Sequence, residues 1–258
     1  MITELAYTEH GQGEPPLLLV HGYTGSQLDW VDVIDELARQ RRVITVDHRG
    51  HGESPNFGDE SQYSLSILGA DFAAFVDRLG LDRFDLLGHS MGGMIAMRYA
   101  LTNPQRLRSL ILMDTAPGPI GGRNDFIASG IALARAEGLD AVFAQIEGFM
   151  ADLPDGARIL ERMRTKWGQL DVAAFCALGD ELGNHDSVLQ RLGSLTMPTT
   201  VIVGEHDVPF REPSDQMATT IPNAKLEIIA GAAHSPQEEQ PAAWLSAVQA
   251  HLARAAAR

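Results

Sequence analysis

Short, mostly apolar runs alternate with amphipathic stretches along most of this chain, and the first three stop at polar, glycine-rich loops. Pro16 to Val20 ends at His21-Gly22-Tyr23-Thr24-Gly25-Ser26. Val43 to Val46 ends at Asp47-His48-Arg49-Gly50-His51-Gly52-Glu53-Ser54. Phe84 to Leu87 ends at Gly88-His89-Ser90-Met91-Gly92-Gly93. An apolar run this short reads as a strand buried on both faces. Between the runs, Trp30, Val33, Ile34, Leu37 and Ala38 recur at helical spacing. Leu68, Phe72, Phe75, Val76 and Leu79 mark one face of a helix expected from about Ser66 to Leu79. The alternation predicts an α/β fold, a mostly parallel sheet flanked by helices. In such sheets the loops beyond the carboxyl ends of the strands build the site. All three polar loops lie there.

The rest of the chain extends the pattern and interrupts it once. Residues 3–9 fit a single edge strand before Gly11. Leu107 to Met113 is a further strand and ends at Asp114. From 116 to 195 no strong strand is visible. Helical patterns cover about 124–137, 140–151, 155–167, 170–182 and 185–192, separated by glycine, proline or polar breaks. Strands resume at Thr199 to Val203 and Ala224 to Ile229. A helix is expected around 213–220, and a C-terminal one carries Trp244, Leu245, Val248 and Leu252 on one face. The chain therefore divides into a first core part, 1–115, a helical insertion, 116–195, and a second core part, 196–258.

Gly88-x-Ser90-x-Gly92 sits where a strand meets a helix that runs through Met94 to Leu101. A turn this sharp brings strand and helix backbones too close for a Cβ at Gly88 or Gly92. It forces the serine into a strained conformation and lifts its hydroxyl clear of the sheet, at a helix N-terminus that favours negative charge. A neutral serine hydroxyl needs an adjacent base, usually histidine, held in the right tautomer by a carboxylate. Asp207 follows the Thr199–Val203 strand and His234 follows the Ala224–Ile229 strand. Each alone would pass for a turn residue. Together with Ser90, in this chain order and on one edge of the sheet, they predict a Ser-Asp-His triad. Asp114, which also ends a core strand, is the rival acid; it ranks below Asp207 and reads as a turn or cap residue. For the oxyanion, the expected donors are the backbone N–H groups of Met91 and Tyr23. His21 reads as a residue that orients its own loop.

Composition narrows the partners. With 34 acidic and 20 basic side chains the formal net charge is −14, which argues against nucleic acid or an anionic membrane as partner. No apolar run approaches a bilayer span, and the N-terminus lacks the pattern of a signal peptide. Cys176 is the only cysteine, so no intrachain disulfide is available, which fits a cytoplasmic location. Neither a metal-ligand spacing nor a dinucleotide fingerprint is present; no metal and no cofactor are expected. The expected partner is a small-molecule substrate.

The motifs quoted above, together with Gly204-Glu205-His206-Asp207 and Gly231-Ala232-Ala233-His234-Ser235, recur in the order of the α/β-hydrolase fold superfamily, which the whole chain resembles. The resemblance implies that 116–195 forms a helical lid over the pocket. It also implies that Asp47, Arg49 and Ser54 brace the loop after their strand. Ser90 stands where related dehalogenases and epoxide hydrolases carry Asp. Ser235 stands where hydrolases of aromatic ring-cleavage products usually carry Trp. What remains is similar to small esterases, lactonases and perhydrolases. Phe126, Ile127, Phe143, Phe149, Met150, Met163, Trp167 and Phe175 are the apolar lid residues; most are expected to pack lid on core, a few to line the pocket. The expected activity is hydrolysis of a small carboxylic ester or lactone through an acyl-enzyme on Ser90. A carbon–carbon bond hydrolase of diketone-type substrates and a ligand-binding receptor on the same scaffold are the alternatives.

Overall fold

The computed structural model describes residues 2–120, 124–150 and 156–257. The side chains of Phe126, Phe149 and Met150 lie outside the described ones. Among the described residues one sheet organises the chain. Its strands are β1 (Tyr7–His10), β2 (Leu17–Val20), β3 (Val43–Val46), β4 (Phe84–His89), β5 (Leu107–Met113), β6 (Thr199–Gly204) and β7 (Lys225–Ile229). They lie in the order β1-β3-β2-β4-β5-β6-β7. Only β1 is antiparallel, paired with β3 from Tyr7 opposite Val46 to His10 opposite Val43. The chain steps from β2 to β3 on one side, then crosses back to β4 on the other. The crevice where strand order reverses, at the carboxyl ends of β2 and β4, is where such a sheet builds its site.

Strand side chains alternate between two cores, as the period of a strand requires. Leu18, Val20, Ile44, Val46, Leu86, Leu110 and Leu112 face α2 (Leu65–Arg78) and α3 (Met91–Thr102). Leu17, Leu19, Val43, Leu87, Ile111 and Met113 face the opposite way, toward Trp30, α1 (Ile34–Ala38) and the Trp244, Val248 and Leu252 face of the C-terminal helix. Because both faces are covered, β2 is apolar throughout, while the polar residues of β4 and β5 pair with one another: Arg108 and Ser109 both donate to Asp85.

Between β5 and β6 run α4 (Asn124–Glu137), α5 (Leu139–Met150), α6 (Gly156–Trp167) and α7 (Val172–Leu182). They hold their own apolar cluster, including Ile131, Val142, Phe143, Trp167, Phe175 and Cys176. Burial pushes the Cys176 thiol up, so it stays protonated and packs as a small apolar group. After β6 come α8 (Val208–Thr220), α9 (Pro236–Glu239) and α10 (Pro241–Ala256).

Four local expectations differ from the structure. The helix sought from Trp30 to Ala38 is a 3-10 turn, Gln27–Trp30, followed by the short α1. Ser26 Oγ caps that turn by accepting the Leu28 N–H. The last helix of the insertion is also 3-10, Leu189–Ser194. The helix after β6 starts at Val208, not near 213, because Pro209 occupies its first turn, where a missing N–H costs nothing. β4 continues two residues past Leu87, to His89.

Candidate active site

Ser90 follows β4 directly and has φ 53° and ψ −118°, a conformation that costs a non-glycine residue about 1–3 kcal/mol. The surroundings hold it there. The Ser90 N–H donates to Met113 O at 2.9 Å, and Thr115 Oγ1 donates to the Ser90 carbonyl at 2.6 Å. A Cβ on Gly88 would come closer than 3.0 Å to the backbone of Gly92, and one on Gly92 equally close to the end of β2. The elbow therefore needs both glycines, the second because α3 is packed against the neighbouring strand's end.

His234 lies on the loop after β7 and Asp207 on the loop after β6. His234 Nδ1 is 2.7 Å from Asp207 Oδ2. A carboxylate can only accept there, so Nδ1 carries the proton and Nε2 presents its lone pair. That lone pair lies 3.1 Å from Ser90 Oγ, the donor of this bond. The three predicted residues thus form one hydrogen-bonded chain. The Asp207 side chain is 3% exposed and the His234 side chain 30%, so the acid is sealed while the imidazole edge reaches the cavity. Asp114, His234 and Asp207 present donor atoms within 4.8 Å of one another. The same set could ligate a cation, but the Nδ1 proton is already committed to Asp207.

Both predicted N–H donors border the serine. Met91 opens α3, so its N–H has no intrahelical acceptor. Tyr23 sits in the loop after β2, whose internal bond runs from Gly25 N to Gly22 O and leaves the Tyr23 N–H out. The Gly22 backbone lies so near Ser90 that a Cβ on it would stand 2.9 Å from Ser90 Cβ. The loop is pinned from below. His21, fully buried, uses Nδ1 to donate to Gly22 O at 2.8 Å and Nε2 to accept the His48 N–H at 3.0 Å. Both ring nitrogens are spent on backbone, as its orienting part demands. From above, the Tyr23 hydroxyl donates to Phe175 O at 2.6 Å.

Asp47, Arg49 and Ser54 brace the loop after β3. Asp47 accepts from Gln27 N and Gln27 Nε2, each at 2.7 Å, and Ser54 Oγ donates to the Asp47 carbonyl at 2.7 Å. Arg49 forms a buried ion pair with Asp71.

Four further residues surround this chain of bonds, and of these the sequence marks Asp114 alone, as the rival acid. Nε2 of His89 donates to the His234 carbonyl at 2.7 Å, and burial pushes the His89 imidazole down to about 3. Glu239 of α9 accepts the N–H groups of Ala233 and Ser235, on either side of His234. The Phe210 ring lies 4.7 Å from the His234 ring, tilted by 31°. Asp114 sits against Asp207. Asp114 is marked by its place at the end of a core strand; nothing in the local pattern marks His89, Glu239 or Phe210.

Above Ser90 and His234 is a cavity of about 360 Å³, lined on its far side by Ile127, Val142, Met163, Trp167 and Phe175. None of its described lining residues is Asp, Glu, Lys or Arg; Ser129 and Gln145 are the polar groups of that far wall. Phe143 packs against Trp167, with ring centroids 5.9 Å apart, and does not line the cavity.

The alpha/beta hydrolase fold model matches residues 15–241. A Bacillus subtilis protein named as a candidate 2-succinyl-6-hydroxy-2,4-cyclohexadiene-1-carboxylate synthase is 31% identical over 236 residues, 87% of this chain and 85% of its own. The 3-oxoadipate enol-lactonase 2 of Acinetobacter baylyi is 28% identical over 258 residues, covering 97% of this chain and 93% of that one. A thermophilic esterase from Thermogutta terrifontis superposes with a TM-score of 0.84 at 28% identity, over 98% of this chain and 94% of the esterase. With a family match that spans residues 15–241, this chain belongs to the alpha/beta hydrolase fold family.

Proposed function

We propose that this protein is a serine hydrolase that cleaves a small, uncharged carboxylic ester or lactone through an acyl-enzyme on Ser90. The observation that carries the reading is the bond sequence from Ser90 Oγ to His234 Nε2 (3.1 Å) and from His234 Nδ1 to Asp207 (2.7 Å), opening into an apolar cavity. Ser90 attacks the carbonyl carbon while Nε2 takes its proton. Asp207 holds the imidazole tautomer and stabilises the imidazolium that forms. The Tyr23 and Met91 N–H groups receive the oxyanion, and one such donor is worth about 3–4 kcal/mol of transition-state stabilisation. His234 then protonates the leaving alcohol, and water activated by the same nitrogen releases the acid.

Helices α4 to α7 act as the lid, and residues 116–195 are its extent. Tyr23 joins lid to site through its bond to the Phe175 carbonyl. The esterase and enol-lactonase relatives favour acyl chemistry. The compounds in two relatives' names, the oxoadipate of that enol-lactonase and a cyclohexadiene carboxylate, carry carboxylate groups. Here the described lining offers no cation to such a group, and a buried unpaired carboxylate is strongly disfavoured. That favours an uncharged acyl or ring portion.

The test is a nitrophenyl ester series and a lactone panel, turned over by wild type and Ser90→Ala in parallel. Turnover lost in Ser90→Ala supports the scheme. Turnover unaffected by Ser90→Ala, or absent from folded wild type on every ester and lactone, overturns it.

A further inference from the structure

Asp114 closes β5 in a left-handed conformation, φ +43°, and is completely buried. Its N–H donates to Ile202 O at 2.9 Å. Its Oδ1 accepts the Gly204 N–H at 2.8 Å. Both bonds run to β6, the strand that delivers Asp207. Oδ2 is different: it is sealed from solvent and meets no N–H donor among the described residues. What it does meet is the Asp207 carboxyl, and the two acids lie within 4.8 Å of each other and of His234.

Two buried carboxylates at this separation cannot both be ionised, because repulsion in a low-dielectric site adds to the loss of hydration. One of them holds a proton. Asp207 accepts the Nδ1–H of His234, a bond that is strongest to an ionised acceptor. Asp114 receives a single backbone N–H, which Oδ1 satisfies. A proton on Oδ2 would give that orphaned atom a partner, and Asp207 is the acceptor in reach.

We propose that Asp114 stands as a neutral carboxylic acid whose Oδ2–H is donated to the Asp207 carboxylate, making it a positioning residue for the acid of the triad. The proposal rests on Ser90, Asp207 and His234 acting as read above. Burial pushes the Asp114 carboxyl well above the usual range, and the negative charges of Asp207 and Glu239 push in the same direction. The groups facing the pair are His234 after β7, Glu239 of α9 and His89 at the end of β4; burial keeps His89 neutral. The consequence is geometric: the carboxylate is gripped from one side by a donor anchored to β6, so its other oxygen stays aimed at Nδ1. This assigns Asp114 a part that neither a rival acid nor a turn residue would have.

Asp114→Asn preserves an oxygen for the Gly204 N–H and an N–H for Asp207, so it mimics the neutral acid. Asp114→Ala removes both. The first readout needs no substrate: the infrared difference spectrum of wild type minus Asp114→Asn at about pH 7. A deuterium-sensitive carbonyl band of a protonated carboxyl is expected; the bands of an ionised carboxylate in its place overturn the proposal. Should Asp114→Asn not fold, the wild-type band itself decides, since it must persist to about pH 8, where ordinary carboxyls are ionised. The second readout is the pH profile of kcat/KM. Asp114→Asn is expected to keep activity within about threefold and the same acid limb, while Asp114→Ala loses about tenfold or more in kcat. An acid limb displaced to lower pH in Asp114→Asn would mean that a negative charge had been removed, which also overturns it. A protein that turns over none of the substrates yet shows the band refutes the hydrolase reading and leaves the carboxyl pair standing.

Discussion

The carbonyl of His234 accepts a hydrogen bond from Nε2 of His89, 2.7 Å away and 145 residues distant in the chain. The residue that precedes the proposed nucleophile therefore holds the loop that carries the proposed base. Burial pushes the His89 imidazole down to about 3, so the ring stays neutral, with Nε2–H as its donor. Replacing His89 by Phe removes the donor while keeping a buried ring. We expect kcat to fall by about 10- to 100-fold with little change in KM, because a small misplacement of a base is costly. His89→Gln, which can donate, should recover part of the loss. Steady-state kinetics on a nitrophenyl ester checks both; wild-type kcat in His89→Phe would show that Glu239 alone holds the loop.

Lys166 of α6 reaches down to Asp29 at 2.7 Å, with side chains 13% and 5% exposed. Arg162, one turn earlier, pairs with Asp32 at 2.8 Å, and Glu238 of α9 lies 3.5 Å from Arg162 and 3.9 Å from Lys166. These pairs tie the inserted helices to the core beneath them. Removing Lys166 alone strands a buried carboxylate, so Lys166→Met should cost about 3 kcal/mol in urea unfolding. Adding Asp29→Asn should restore most of it. Equal destabilisation in single and double variants would assign the loss to packing rather than charge.

Gly130 of α4 borders the cavity, and a Cβ there would meet Val142 and Phe175 at 3.7 and 3.8 Å, ordinary contact distances. A larger side chain is therefore tolerated by the backbone and projects among the lining residues. Gly130→Leu should raise KM for long acyl esters by about tenfold, the scale of one or two displaced methylenes, and leave acetate esters nearly unchanged. A uniform effect on all chain lengths would show that the acyl group lies elsewhere.

His251 of α10, buried against β6, has its Nδ1 2.8 Å from Thr200 Oγ1, and burial pushes it down to about 3 from 6.5. Its sign follows from proton counting. Between about pH 6.5 and 3 the native protein binds fewer protons than the unfolded chain, so stability falls as pH falls through that window. His51 and His89, also pushed down to about 3, add to the same slope. Each contributes about 1.4 kcal/mol per pH unit where only the unfolded form is charged. His251→Gln should flatten the loss between about pH 6 and 5 by one such share. Unfolding midpoints at the two pH values test this; an unchanged slope would mean that His251 is protonated in the native state.

Much of the sheet was legible because strands covered on both faces are mostly apolar. Leu17 to Val20, Val43 to Val46 and Leu107 to Met113 stand where their composition put them. The elbow was legible because Gly88 and Gly92 answer a steric demand that few other arrangements make. Less visible were elements whose residues carry two meanings. The helix expected around 213–220 begins at Val208 and carries Pro213 in its interior. Trp30 kept the spacing of a helix while its backbone formed a 3-10 turn, since burial against Trp244 constrains the side chain and not the local winding.

Ser90, Asp207 and His234 could be picked out from residue type, chain order and position at strand ends, since a parallel sheet delivers every such loop to one edge. The contacts that hold His234 and its acid could not. His89 reaches its carbonyl, Glu239 its flanking N–H groups, Phe210 its ring face and Asp114 its acid, and each contact joins single residues from separate elements. No periodicity records such pairs. Their distances depend on how β4, β5, β6 and α9 pack around one another, and the protonation of Asp114 on a burial that exists only once they have. Local chemistry names the reacting groups; the low dielectric and fixed geometry that tune them arise when distant segments close over the site.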